Sequence, residues 1–133
     1  MTNCTVLLVE DDRDLQEVAS ELLLEEGFDL RLATTGQEVL TLLKGGFRPG
    51  CILLDLGLPD MSAADFLERY TAIPGASELP IVLVSGNSDI GDWAKRFKTR
   101  RIIRKPYGLE SLVDSVTEFC GQPKALTSSP APL

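Results

Sequence analysis

Four short apolar runs each end in a charged or oxygen-bearing group. These are Val6-Leu7-Leu8-Val9 before Glu10-Asp11-Asp12, Cys51-Ile52-Leu53-Leu54 before Asp55, Ile81-Val82-Leu83-Val84 before Ser85, and Ile102-Ile103 before Arg104-Lys105. Read as parallel strands, they bring carboxylates, a hydroxyl and an ammonium to one edge of a sheet, where open α/β folds place their sites. Few architectures satisfy that requirement.

The segments between the runs have the helical period. Leu15, Val18, Ala19, Leu22 and Leu23 recur at i, i+3, i+4, i+7 and i+8, with Gly27 placed to end the stripe. An edge strand over residues 28–33 leads to Thr35-Gly36 and a helix carrying Val39, Leu40, Leu42 and Leu43, stopped by Gly45-Gly46. Ser62 caps a third helix holding Phe66, Leu67 and Tyr70, which Pro74-Gly75 closes. Ile90, Trp93, Ala94 and Phe97 form a fourth stripe, read as core. Leu109, Leu112, Val113, Val116 and Phe119 form the fifth, ended by Gly121.

Five βα units in succession predict a flavodoxin-like, doubly wound five-stranded parallel sheet of order 2-1-3-4-5 with five helices, because parallel neighbours need right-handed crossovers. In that order the first and third strands flank the topological switch point. The acidic cluster at residues 10–12 and Asp55 then face one crevice, with Ser85 and Lys105 beside it.

Length and composition fit one domain over residues 1–121, with the Pro- and Ser-rich segment 122–133 as a flexible tail or linker. No apolar run reaches the roughly 20 residues that cross a bilayer, and a cytoplasmic protein is expected. The three cysteines lack C-x-x-C spacing and are read as reduced, structural thiols, with neither a disulfide framework nor a zinc site. The net charge of −7 conceals an asymmetry. Residues 1–94 carry 17 acids and 5 bases, whereas residues 95–105 carry 7 bases and no acid. Nucleic acid is an unfavourable partner for so acidic a body, while the basic strip is a solvated helix end and loop or, on a weaker reading, a steering patch for an acidic protein.

The chemistry follows from charge. Glu10, Asp11, Asp12 and Asp55 against the single ammonium of Lys105 leave a crevice that a hard, oxygen-seeking cation relieves, and Mg²⁺ fits best. An ion there brings an incoming phosphoryl group close to Asp55, whose ionised carboxylate needs no general base to act as nucleophile. Lys105 is placed to neutralise one phosphoryl oxygen and Ser85 to hydrogen-bond another.

These residues resemble those of bacterial two-component response-regulator receiver domains over about residues 4–120. The shared motifs are Val-Glu-Asp-Asp after the first strand, Leu-Leu-Asp-Leu-Gly-Leu-Pro-Asp-Met at the third, Ser-Gly after the fourth and Lys-Pro after the fifth. The resemblance implies that Asp55 is the phosphoacceptor, with Asp11, Asp55 and the Gly57 carbonyl binding Mg²⁺ directly and Glu10 acting through water. Asp12 is a further candidate ligand. It also implies Ser85 as the switch hydroxyl, Lys105 as the phosphate-sensing cation, and a cis bond before Pro106. The implied partners are a histidine kinase or phosphotransfer protein on one side. On the other is a downstream protein, or a fused output domain, reached through helix four, strand five and helix five. No membrane partner is implied, and no enzymatic activity beyond self-catalysed phosphoacceptance and autodephosphorylation.

The chain departs from that pattern in three places. Ile102 stands three positions before the lysine, where the family usually carries an aromatic switch residue. The small Ala-Gly stretch that commonly precedes strand five is replaced by Phe97-Lys98-Thr99-Arg100-Arg101, and Ser62-Ala63-Ala64 replaces a glycine common after the Pro-x-Met segment. Two alternatives stay open at this point. One is a phosphorylation-independent binding module, a pseudo-receiver with an atypical output face. The other is a Mg²⁺-dependent phosphatase with an aspartyl nucleophile, although Gly57 occupies the place where such enzymes keep a second acid.

Overall fold

A strand buried on both faces must be apolar along its run, up to the polar group that closes it at a site, and must alternate its side chains between two cores. The computed structural model, which describes residues 4–99, 101–106 and 108–120, shows both properties. Strands β1 (Thr5–Val9), β2 (Asp29–Ala33), β3 (Cys51–Asp55), β4 (Ile81–Ser85) and β5 (Arg101–Arg104) form one parallel sheet in the order β2-β1-β3-β4-β5. Every residue of β3 and β4 is buried.

Helices α1 (Arg13–Glu25), α2 (Gly36–Lys44), α3 (Ala63–Thr71), α4 (Ile90–Phe97) and α5 (Leu109–Cys120) connect or follow the strands. Leu7, Ile52, Leu54 and Leu83 point to one face, where they meet Val39 and Leu40 of α2, Phe66 and Tyr70 of α3, and Ile90 and Phe97 of α4. Val6, Leu8, Leu53 and Val82 point to the other face, against Ala19 and Leu23 of α1 and Leu112 and Val116 of α5. The fourth stripe is core, as its period predicts. Its Phe97 ring packs against α3, 6.3 Å from both Phe66 and Tyr70.

Local chemistry sets the helix ends. Asp12 caps α1 by accepting from the Asp14 and Leu15 amides, and Ser62 caps α3 by accepting from Asp65 N. Thr35 and Glu38 form a reciprocal capping box on α2. Gly27 follows α1 at φ 96°, the left-handed conformation that stops a helix. Helix α4 stops without a glycine: Lys98 takes φ 60° there.

The cysteines correct the sequence reading. Cys4 and Cys120 are joined as a disulfide, with Cα atoms 5.5 Å apart, and only Cys51 is free among the described residues. Each βα unit returns the chain to the sheet edge where strands begin, so the entrance to β1 and the end of α5 share that edge. Spacing in sequence carries no trace of this meeting, because 116 residues separate the two thiols. Gly121 and the proposed tail lie outside the described residues.

Candidate functional site

At the opposite edge, where strands end, the groups singled out by sequence converge. Glu10 leaves β1, Asp55 closes β3, Ser85 closes β4, and Lys105 follows β5. The parallel register places these ends side by side, with Val9 against Leu54, Asp55 against Val84, and Ser85 against Arg104. Glu10, Asp55 and Ser85 are buried, Lys105 is half-buried and Asp11 is exposed.

Lys105 Nζ lies 2.6 Å from Asp55 Oδ2 and 3.5 Å from Glu10 Oε1. The other Asp55 oxygen, Oδ1, accepts from the Gly57 amide at 2.8 Å. Glu10, Asp11 and Asp55 each offer an oxygen within 4.8 Å of the others. Burial, followed by the neighbouring charge of Asp55, pushes the Glu10 carboxyl up to about 6 despite a hydrogen bond from the Asp12 amide. Burial pulls Lys105 down, but its hydrogen bond and charge contact with Asp55, and then with Glu10, outweigh that effect and leave it raised. Lys105 is therefore a cation at any physiological pH. Three carboxylates facing one ammonium form an all-oxygen, electron-rich donor set that suits a hard divalent cation such as Mg²⁺.

Not every candidate joins the cluster. The Asp12 side chain is committed to the α1 amides, and its own amide holds Glu10 Oε2 at 3.1 Å. It orients an acid and lies outside the three-carboxylate group. Ser85 Oγ accepts from Asn87 N at 3.0 Å, so its hydroxyl oxygen is engaged with the loop after β4, while its carbonyl accepts from Lys105 N at 2.9 Å. The Lys105–Pro106 bond is cis. Ile102 pairs with Leu83 and packs half-buried on the α4 side of the sheet.

Asp60 was not among the sequence candidates. Its Oδ1 accepts from Gly36 N at 2.8 Å and its Oδ2 from Gln37 N at 3.0 Å, so the loop after β3 is clamped to the N-terminus of α2. Burial opposes ionisation of Asp60, but the amides of Gly36 and Gln37 prevail and hold its carboxyl below the usual range. Met61 packs on Gly36 beside it, where a Cβ would meet the Met61 sulfur at 3.0 Å. The signal was present in the Leu-Pro-Asp-Met motif, but its target lies 24 residues upstream. Gln16 Nε2 also escaped notice; it donates to the carbonyls of Glu10 and Ala33 and ties the ends of β1 and β2 together.

The sequence matches the family model described as "Response regulator receiver domain" across residues 6–117. The chain belongs to the response-regulator receiver domain family. Such domains are signalling modules rather than conventional enzymes, and they work with histidine kinases and output domains. This receiver domain is 33% identical over 113 residues to the DNA-binding response regulator MtrA of Mycobacterium tuberculosis, covering 84% of the chain and 48% of the relative. It is 38% identical over 92 residues to the cell cycle transcriptional regulator CtrA of Caulobacter vibrioides, covering 69% of the chain and 38% of that protein. The chain thus spans less than half the length of either relative. Among solved structures it resembles a putative response regulator from Chloroflexus aurantiacus, with TM-score 0.78 and 23% identity over 91% of this chain and all (100%) of that one. It also resembles the receiver domain of the Pseudomonas aeruginosa sensor histidine kinase PA1611, with TM-score 0.77 and 21% identity over 91% of this chain and 100% of that one. The latter holds a magnesium ion in its active-site cleft. At these identities the structural likeness establishes the fold. Among the described residues no helix is long and apolar enough to cross a membrane.

Proposed function

We propose that this receiver domain takes a phosphoryl group on Asp55 from a histidine kinase or phosphotransfer protein in the cytoplasm, and that the modification changes what its α4, β5 and α5 face binds. The observation that carries this reading is the position of Lys105 Nζ, 2.6 Å from Asp55 Oδ2, within the acidic group of Glu10, Asp11 and Asp55. Receiver domains generally bind Mg²⁺ at such a pocket. Here Asp11, Asp55 and the Gly57 carbonyl would hold the ion directly and Glu10 through water. When bound, it supplies positive charge for the incoming phosphoryl oxygens.

An Asp55 carboxylate oxygen attacks phosphorus on the donor's phosphohistidine. The new O–P bond forms as the N–P bond breaks, and the imidazole leaves with the electron pair. Lys105 is already beside the acceptor oxygen and holds one phosphoryl oxygen of the resulting acyl phosphate. Phosphorylation adds about −1.5 to −2 of charge. Ser85 answers it by swinging its Oγ toward another phosphoryl oxygen to donate to it, and that displacement of Oγ releases the Asn87 amide. The loop so freed leads to Asp89, whose Oδ2 accepts from Trp93 Nε1 at 3.2 Å on the first turn of α4. With Ile102 in place of an aromatic rotor, this connection is the route by which α4 moves.

The output is a downstream protein or a fused domain. DNA contact, which the name of MtrA records for that protein, would here fall to a separate domain rather than to this acidic one. Incubation with Mg²⁺ and a small-molecule phosphodonor tests the reading: an acid-labile adduct is expected that Asp55→Asn abolishes. No adduct at any donor concentration would overturn it and support instead a phosphorylation-independent binding module, the reading that Ile102 motivates.

A further inference from the structure

The sheet edge remote from the phosphoacceptor site carries a second chemical feature. Cys4, just before β1, and Cys120, the last residue of α5, are both half-buried and joined through their sulfurs. Gly50, immediately before β3, makes room for them. A Cβ at that position would fall 2.0 Å from Cys4 Sγ and 3.3 Å from Cys120 Sγ. Gly50 also donates its amide to Thr5 O at 2.9 Å, so its backbone is fixed against the start of β1. The third thiol is excluded from this chemistry. Cys51 is fully buried within the α1 and α5 core, and burial pushes it up to about 12. The sequence therefore supplies one accessible pair with a cleared seat beside it, and one inert cysteine.

In a reducing cytoplasm, disulfides of this kind are transient and regulatory rather than permanent. We propose that Cys4 and Cys120 form a reversible redox site, closed by a low-molecular-weight disulfide and reopened by low-molecular-weight thiols, that sets how firmly the last turn of α5 is held to the sheet. The reaction is thiol–disulfide exchange. One cysteine thiolate attacks a sulfur of the small disulfide, forming a mixed disulfide and expelling one small thiolate. The second cysteine, deprotonated, attacks the mixed disulfide at the protein sulfur and expels the second small thiolate. Two protein thiols are oxidised, one small disulfide is reduced to two thiols, and the two protons pass to water or to the departing thiolates. The location rests on the cytoplasmic reading above; the exchange itself is independent of phosphorylation at Asp55. Because α5 belongs to the proposed output face, closing the bond would stiffen one side of that face from the far end of the molecule.

The test uses the whole chain equilibrated in buffers of varied reduced-to-oxidised glutathione ratio, followed by alkylation, peptide mapping and amide exchange. Cys4 and Cys120 are expected to pass from alkylated to mutually linked within that range, with Cys51 never linked. Exchange in residues 115–119 should slow by about tenfold on closure. Cys51→Ala should behave as the parent does. Gly50→Ala, which keeps both thiols, should shift closure to much more oxidising ratios. The proposal is overturned by any of four results: a pair that stays reduced in excess glutathione disulfide, a pair that stays linked in millimolar reduced glutathione, α5 exchange that ignores the redox state, or Gly50→Ala closing as readily as the parent.

Discussion

The Lys105 ammonium shares Asp55 and Glu10 with whatever cation enters the site, so it both completes the acidic group and competes with the metal. Replacing it with methionine leaves Glu10, Asp11 and Asp55 without a local cation. Mg²⁺ affinity should then rise by about tenfold, the equivalent of ~1.4 kcal/mol, measured by calorimetric titration. The same variant should lose any Trp93 emission change on phosphodonor addition, because the phosphoryl group loses its protein cation. Glu10 supplies a pH dependence. Its carboxyl titrates near 6 in the folded chain, above the ordinary value of 4.5. The folded state therefore binds the proton more tightly than the unfolded chain. In the metal-free protein this residue contributes a gain in stability as pH falls from about 6 to 4.5, and ionised Glu10 costs stability above that window. Mg²⁺ needs the ionised form, so its apparent affinity should weaken as pH drops from 7 to 5 and level off above 7; titrations at several pH values check this. The strand-end groups were legible at this scale because each lies within two residues of the end of an apolar run. The Asp12 role was legible only in part, since an acid after a strand serves equally as ligand or as helix cap, and here its Oδ1 accepts from the amides of Asp14 and Leu15.

Elements position these residues through their ends. The loop after β3 carries Gly57 and is clamped to α2 by Asp60, a carboxylate at a helix N-terminus. Asp60→Ala removes two charge-assisted bonds and should cost about 1 kcal/mol in denaturant unfolding while loosening the loop that presents Gly57. Mg²⁺ binding should weaken with it. The helix stripes and strand runs announced the elements themselves, including the short α4 and its aromatic core face. Contacts between distant segments were not announced. The basic strip shows why: Arg101, which in sequence is one of seven neighbouring bases, lies half-buried between Ser115 at 2.9 Å and Glu118 at 3.4 Å, whereas Lys95, Arg96, Lys98 and Arg104 remain exposed. Arg96 is also drawn over the Trp93 ring at 4.3 Å. Neighbouring bases in a sequence are alike in charge, and only the partners that the fold brings to them separate the structural Arg101 from its solvated neighbours.

Across the whole molecule, one sheet carries chemistry at both edges. The strand order was readable because five βα units admit few topologies, and that order alone assembles Glu10, Asp55, Ser85 and Lys105. The disulfide at the other edge was not readable, because it depends on the first strand and last helix meeting after 116 intervening positions. Closing so long a loop constrains the unfolded chain strongly. Oxidised protein should therefore exceed reduced protein in stability by up to about 4–5 kcal/mol, which paired urea unfolding curves with and without reductant would measure. At the other edge Asp55, buried at the end of β3, is the proposed phosphoacceptor. Peptide mapping of the chain after brief exposure to Mg²⁺ and a small phosphodonor tests it most directly. The predicted result is a single acid-labile phosphoryl group on Asp55; a label on Glu10 or Asp11, or none at all, would contradict it.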